Sequence, residues 1–191
     1  MGTTRVEVLE NHRLADARAH SARKAAFRAL ADRHLDSSYG LAHAILGQRA
    51  EAEDATHDAF IAAWRNWSQL RDPELFERWF HRILVNTCRN RLRQISRGRQ
   101  FVFTAQPPTA AADAYGPAHD RGWLWPAMER LAPDHRIVLA LRFYGDLSVD
   151  QIAVRVGTRP GTVKSRLHRA LQALRAELDR ADRERSTDDR T

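Results

Sequence analysis

The sequence predicts an all-α protein, two small helical domains joined by a flexible linker, and three observations carry that expectation. Apolar residues recur at helical spacing almost throughout, with little of the alternation that marks strands. The stretch "GRQFVFTAQPPTAAADAYGPAHDRG", from Gly98 to Gly122, loses that spacing and is rich in Pro, Ala and Gly. So long an unpatterned segment suits a connection between domains better than a loop inside one. The 191 residues leave enough chain on either side for a modest core in each half.

In chain order, a first helix is expected over about Ala22 to Leu35, with Phe27 and Leu30 inward. A second follows over about Ser38 to Leu46 and is ended by Gly47, a residue suited to the left-handed turn that closes a helix. A third, about Ala50 to Trp67, carries Ala55, Ala59 and Trp64 beside the acids Glu51, Glu53, Asp54 and Asp58. Asp72-Pro73 separates it from a long Arg-rich helix, about Pro73 to Ser96. Beyond the linker, a short helix near Trp125 to Leu131 leads to a stronger one from Asp134 to Tyr144. From Glu177 onward the chain mixes charges of both signs with almost no apolar residues, so it is expected to fray.

The segment "LSVDQIAVRVGTRPGTVKSRL" carries the most local information. Ser148 with Gln151 makes a capping box, Ile152, Ala153 and Val156 form an inward face, and Gly157 ends the helix. Pro160 suits the first turn of the next helix, so the tight connection gives helix-turn-helix geometry. In that next helix Val163, Leu167, Ala170, Leu171 and Leu174 fall in one stripe. Ser165, His168 and Arg169 point away from it, with Lys164 and Arg166 on the flanks. An isolated helix of this kind is a solvated surface element; in a helix-turn-helix the same cations can reach guanine edges or phosphates.

Charge agrees with a polyanionic partner. The formal net charge is +7, and it is concentrated: Arg78 to Ala112 holds seven arginines and no acid, and Gln151 to Ala176 holds six Lys or Arg and no acid. No apolar run approaches the ~18 residues of a membrane span, and the opening "MGTTRVEVLENHR" lacks the apolar core of a secretory signal. The expectation is a cytoplasmic chain without membrane insertion. Cys88 is the only cysteine, so no internal disulfide or multi-cysteine zinc site can form.

With both halves in view, the chain resembles bacterial RNA polymerase sigma factors of the sigma-70 family, in the small extracytoplasmic function (ECF) form that keeps regions 2 and 4. "SVDQIAVRVGTRPGTVKSRLHRALQALRAEL" resembles region 4, "AEDATHDAFIAAW" the polymerase-binding helix of region 2, and "RWFHRILVNTCRNRLR" the helix that recognises the minus-10 element. The resemblance implies region 2 over 22–97, a linker over 98–122, region 4 over 123–178 and a disordered tail over 179–191. There are two departures. Asp54 is followed by Ala55, Thr56 and His57 where the family usually has two apolar residues and Gln, and Asp150 stands where Glu is usual.

Carried over residue by residue, the resemblance implies that Glu53, Asp54, His57 and Asp58 meet the polymerase; acids near a helix N-terminus also simply complement the macrodipole. For the minus-10 element it implies Arg71, Trp79, Arg82, Asn86, Asn90, Arg91 and Arg93. The i, i+4 pair Asn86 and Asn90 would face exposed base edges, and Arg82, Arg89, Arg91 and Arg93 would hold phosphates. The loop Leu70 to Leu75 would capture a flipped base. Trp79 stands at helical spacing with Phe76 and Ile83, so core packing competes with base stacking there. For the minus-35 element the residues are Arg142, Lys164, Ser165, Arg166, His168 and Arg169. The implied partners are core RNA polymerase, promoter DNA and an anti-sigma factor.

No catalytic residues, metal ligands or cofactor site are expected: the sequence has no Walker loop, no metal-ligand spacing and no nucleophile with an identifiable base. Two other readings stand beside this one. One is a stand-alone helix-turn-helix regulator with a sensing domain, and the other an enzyme acting on nucleic acid.

Overall fold

The computed structural model describes residues 3–101 and 121–188, and every element among them is helical. Seven α-helices run α1 (Thr3–Leu46), α2 (Arg49–Arg65), α3 (Phe76–Phe101), α4 (Arg121–Glu129), α5 (Pro133–Leu139), α6 (Val149–Val156) and α7 (Pro160–Asp188). Two 3-10 turns, Trp67–Gln69 and Pro73–Leu75, connect α2 to α3, and the Asp72 side chain caps the second by accepting from the Glu74 N–H at 2.9 Å. The expected linker falls mainly on 102–120, outside the described residues. Its two ends are helical, since α3 runs on to Phe101 and α4 starts at Arg121.

The two helices expected over 22–35 and 38–46 are one continuous helix. Ser37 looks like a break in the sequence, but its hydroxyl donates to the His34 carbonyl at 3.1 Å, within the helix. Ser38 is fully buried, and Leu41, Ala42 and Ile45 behind it continue the same packed face. α1 stops where expected: Gly47 has φ +79°, and its N–H donates back to the His43 carbonyl at 2.8 Å.

α1, α2 and α3 share one core. α2 presents Ala52, Ala55, Ala59 and Ala63, all fully buried, so its backbone lies close to its neighbours. α3 fills the space with Phe76, Phe80, Leu84, Val85, Cys88 and Leu92. Phe80 stacks between Phe60, at 4.3 Å between ring centroids, and Phe76, at 5.5 Å. Phe27 of α1 closes the cluster edge-on against Trp64 and Trp67.

The second half packs around Ile137, Val138, Leu141, Ile152, Val163 and Ala170. α5 continues into a wider π turn over Ala140–Tyr144, in which the Gly145 N–H reaches the Ala140 carbonyl at 3.0 Å. The capping box forms: Ser148 accepts from the Gln151 N–H, and the Gln151 side chain accepts from the Ser148 N–H. Gly157 sits at φ +69°, giving the sharp turn between α6 and α7. The apolar stripe of α7 is narrower than its spacing suggests, because Leu171 is exposed while Val163 and Ala170 are buried. Of the tail expected to be disordered over 179–191, the part through Asp188 belongs to α7. There Arg180 pairs with Glu177 at 3.0 Å and Glu184 at 3.7 Å, so charge pairs at helical spacing support the end of the helix.

The two halves also pack on one another, α3 against α5 and α6, and α1 against the π turn. The ring of Trp125 fills the space beside Gly47 that a Cβ would occupy, and the Tyr144 hydroxyl does the same at Gly40. Arg136 is buried under this seam, where it donates to the carbonyls of Ile45 at 3.4 Å and Glu129 at 2.7 Å.

Candidate nucleic-acid interface

α3 turns by 100° per residue, which sorts its polar residues onto separate faces. Arg82, Asn86, Arg89, Asn90 and Arg93 come within about a quarter-turn of one another, and Arg82, Asn86, Asn90 and Arg93 are exposed. Arg91 falls elsewhere. Its guanidinium donates to Glu51 at 3.0 Å, Asp54 at 3.2 Å and Asp58 at 3.2 Å, binding α3 to α2. Burial pulls this guanidinium down, but hydrogen bonding and charge from Glu51, with Asp58 and Asp54, outweigh it and hold the pKa above the ordinary value. Arg91, expected to grip DNA, is paired in this structure with three carboxylates.

The acids of α2 lie on the surface that Arg91 edges. The side chains of Asp54 and Asp58 are more than half exposed despite their pairing, Glu53 pairs with Arg49 at 2.8 Å, and His57 is exposed. Arg71 is exposed in the loop before the second 3-10 turn. Trp79 is half-buried, 6.1 Å from the Phe76 ring, and packs against the core.

On α7, Lys164, Ser165, His168 and Arg169 are exposed, with Ser165 bonded to the Thr162 carbonyl at 3.0 Å and the Arg169 Nε to the Ser165 carbonyl at 3.3 Å. Arg166 differs from them. It is half-buried and reaches Asp134 of α5 at 3.6 Å. Arg142 donates to the Leu147 carbonyl at 2.9 Å, which holds the turn before α6.

Asn86, Asn90 and Arg93 of α3 and Arg166 of α7 line the same open cleft of about 460 Å3, together with Arg89, Asp134 and the turn Val156–Thr158. A neighbouring contact is buried. Arg155 of α6 enters the α3 surface, donating to His81 Nδ1 at 3.3 Å and to Glu77 at 3.4 Å. Burial, and then the Arg155 charge, push the His81 pKa down to about 4 against the opposing pull of Glu77. Among the described residues no group of three or more His, Cys, Asp or Glu could hold a metal ion, and no helix is long and apolar enough to cross a membrane.

Comparison with known proteins accounts for both halves. The sigma-70 region 2 model matches residues 30–98 and the sigma-70 region 4 model residues 121–174. The RNA polymerase sigma-E factor of Streptomyces avermitilis is 35% identical over 133 residues, 69% of this chain and 73% of that protein. The ECF RNA polymerase sigma factor SigL of Mycobacterium tuberculosis is 32% identical over 165 residues, 84% of this chain and 93% of that one. The chain belongs to the sigma-70 family, in its ECF group.

As a sigma factor it is a transcription initiation factor, the subunit that directs RNA polymerase to promoters, and the stand-alone regulator is not favoured. The fold agrees. The sigma factor RpoE of Bartonella quintana, solved with the anti-sigma factor NepR, superposes with a TM-score of 0.64 at 23% identity, over 80% of this chain and 96% of that one. CnrH, solved with the cytosolic domain of CnrY, gives 0.57 at 25% identity over 87% and 96%. Sequence reasoning missed three residues that pair across the two halves of this sigma factor or within its helix-turn-helix half: Asp134, Arg155 and Glu77. Their partners lie 32 to 78 positions away in the chain, and nothing in the local pattern of Asp134, at the start of a helix, distinguishes it from an ordinary acid in a first turn.

Proposed function

We propose that the chain divides promoter recognition between its two halves, with the α3 stripe opening the minus-10 element and α7 reading the minus-35 element. The observation that carries this is the stripe itself. Two amides and three arginines share one face of a helix whose opposite face is locked into an aromatic core. Amides pair with unstacked base edges, and arginines hold the phosphates of the displaced strand. Extruding a base costs a few kcal/mol, which this grip offsets without ATP. The protein itself supplies no catalysis; polymerisation belongs to the core enzyme.

The exposed acids Glu53, Asp54 and Asp58, with His57, form the face offered to core polymerase, and Arg91 fixes its shape. On α7, His168 and Arg169 are the base readers, with Lys164 and Arg166 on the flanks as phosphate contacts. Residues 22–97 and 123–178 act as region 2 and region 4, with 98–122 passing between them through the polymerase. The chain works in the cytoplasm, where its polymerase is. An anti-sigma factor is a fitting regulator, since the similar sigma factor RpoE of Bartonella quintana was solved with one.

Run-off transcription with purified core polymerase on a library of genomic fragments tests the proposal. Discrete promoters should appear only when both proteins are present, while the free chain binds duplex weakly. Tight, sequence-specific duplex binding by the free chain, unchanged by added core, would overturn it.

A further inference from the structure

Asn86 and Asn90 stand about one helical turn apart on the same face of α3, yet their amides differ in state. Asn86 is engaged by Arg89, whose Nη1 donates to its Oδ1 at 2.8 Å. The Asn90 side chain makes no hydrogen bond among the described residues.

A guanidinium carries five N–H donors and no acceptor, so the amide atom that faces it has to be the oxygen. Chemistry therefore settles which way Asn86 points. An unengaged amide, as at Asn90, can turn about its last torsion and offer either end.

Arg89 is itself held. Its side chain is 13% exposed, and its Nε donates to Asp134 Oδ1 at 2.9 Å. The bond to Asn86 joins residues three apart on one helix, so it belongs to α3 and travels with it. Asn86 is exposed, and its Nδ2 group keeps two N–H donors without a partner among the described residues.

An asparagine amide reads adenine with both ends, the carbonyl accepting from N6 and the amine donating to N7. With Oδ1 taken and a positive charge beside it, an exocyclic amine meets a poor acceptor and a repelling cation. A keto oxygen meets two free donors. Guanine O6 and thymine O4 are such oxygens, whereas adenine and cytosine carry the N6 and N4 amines there.

We propose that Arg89 is a positioning residue that fixes the polarity of Asn86, so that this amide presents donors only and favours a keto base, guanine or thymine, in the opened strand. The inference rests on the assignment of the α3 stripe to the minus-10 strand, and it divides the two amides: Asn86 is preset, while Asn90 adapts to either class of base.

The test uses holoenzyme on a promoter at which it initiates, with each minus-10 base of the nontemplate strand replaced in turn by the other three, and reads single-round run-off yield. Asn86→Ala locates the base in question as the position where selectivity collapses, and Asn90→Ala locates its neighbour. At the Asn86 position the wild type should favour guanine and thymine over adenine and cytosine by about tenfold. Arg89→Met, which keeps the length of the side chain and removes its donors, should lose that preference and leave the Asn90 position unchanged. Arg89→Lys, again a donor only, should restore it. Arg89→Glu accepts from Nδ2 instead, turns Oδ1 outward and should move the preference to adenine and cytosine. A lost phosphate contact or a folding defect lowers every template alike and leaves these ratios where they were.

Selectivity that collapses in Asn86→Ala but survives in Arg89→Met, or a wild-type preference for adenine or cytosine at that position, would overturn the role of Arg89 and leave the α3 stripe on the opened strand. No change of selectivity at any position in Asn86→Ala would take Asn86 off the opened strand and overturn both.

Discussion

α3 buries six apolar side chains, Phe76, Phe80, Leu84, Val85, Cys88 and Leu92, whereas α7, over 29 residues, buries only Val163 and Ala170 among its described side chains. The first helix is held rigidly, so its charges are sorted by position: Arg91 inward to α2, Arg82, Asn86, Asn90 and Arg93 outward. The second is held along 163–177 by a narrower stripe and leaves most of its cations in solvent. Its domain borrows support from the first half through Trp125, Arg136 and Arg155. The difference suits the tasks assigned to them. Strand opening needs amides fixed against unstacking forces, while reading an intact groove needs a helix that presents its cations to solvent.

Breaking the rigid side should have the largest effect. Phe80→Ala removes a fully buried ring stacked between Phe60 and Phe76 and should cost about 3–5 kcal/mol of unfolding free energy. Leu171→Ala on the exposed side of α7 should stay within about 0.5 kcal/mol. Urea titrations of both variants measure the contrast.

The presented side should respond in affinity instead. Arg169→Ala should cost about 1–3 kcal/mol on the preferred minus-35 sequence and relax selectivity at one position. Lys164→Ala should weaken all sequences alike and lower the log-log salt slope by about one. Holoenzyme titrations on minus-35 variants at several salt concentrations separate the two. The same uniform loss from both would move the recognition face elsewhere.

Within α3 the two faces sharpen the comparison further. Arg91→Ala leaves three carboxylates without their shared partner and should cost about 1–2 kcal/mol, discounted because those acids are partly in water. Arg93→Ala should leave the melting temperature unchanged and lower only the salt slope of holoenzyme binding. A stability loss in Arg93→Ala with none in Arg91→Ala would reverse the assignment of faces.

pH probes the seam. His81 faces Arg155 from α6, Glu77 on its own helix and His34 of α1. Its folded-state pKa of about 4 lies below the ordinary 6.5, so the unfolded chain takes the proton first. The stability it contributes is complete above about pH 6.5 and is lost as pH falls toward 4. His81→Gln keeps an acceptor for Arg155 and takes no proton, so its melting temperature should fall less steeply than wild type across that window. Parallel slopes would place His81 in ordinary solvent.

Features set by neighbours in the chain were legible in the sequence. The Ser148–Gln151 capping box, the left-handed Gly157 and Gly47 and the Pro160 start depend on contacts within a few residues, and each forms. Features set by distant partners were not. Ser37 and Ser38 carry the local marks of a break, yet the core behind Leu41, Ala42 and Ile45 keeps α1 unbroken. Arg91 and Arg93 look equivalent in a row of arginines until α2 supplies acids to one of them. Asp134 reads as an acid in a first turn, and its bridge exists only because the two halves pack.

The most direct test of the account is strand opening by holoenzyme on a promoter that normally melts, read by permanganate reactivity of unpaired thymines. Asn86→Ala with Asn90→Ala should bind core polymerase as wild type does and lose most of the reactive signal, because the amides proposed to meet the unstacked bases are gone. Wild-type reactivity from the double variant would contradict the account and remove the α3 stripe from promoter melting.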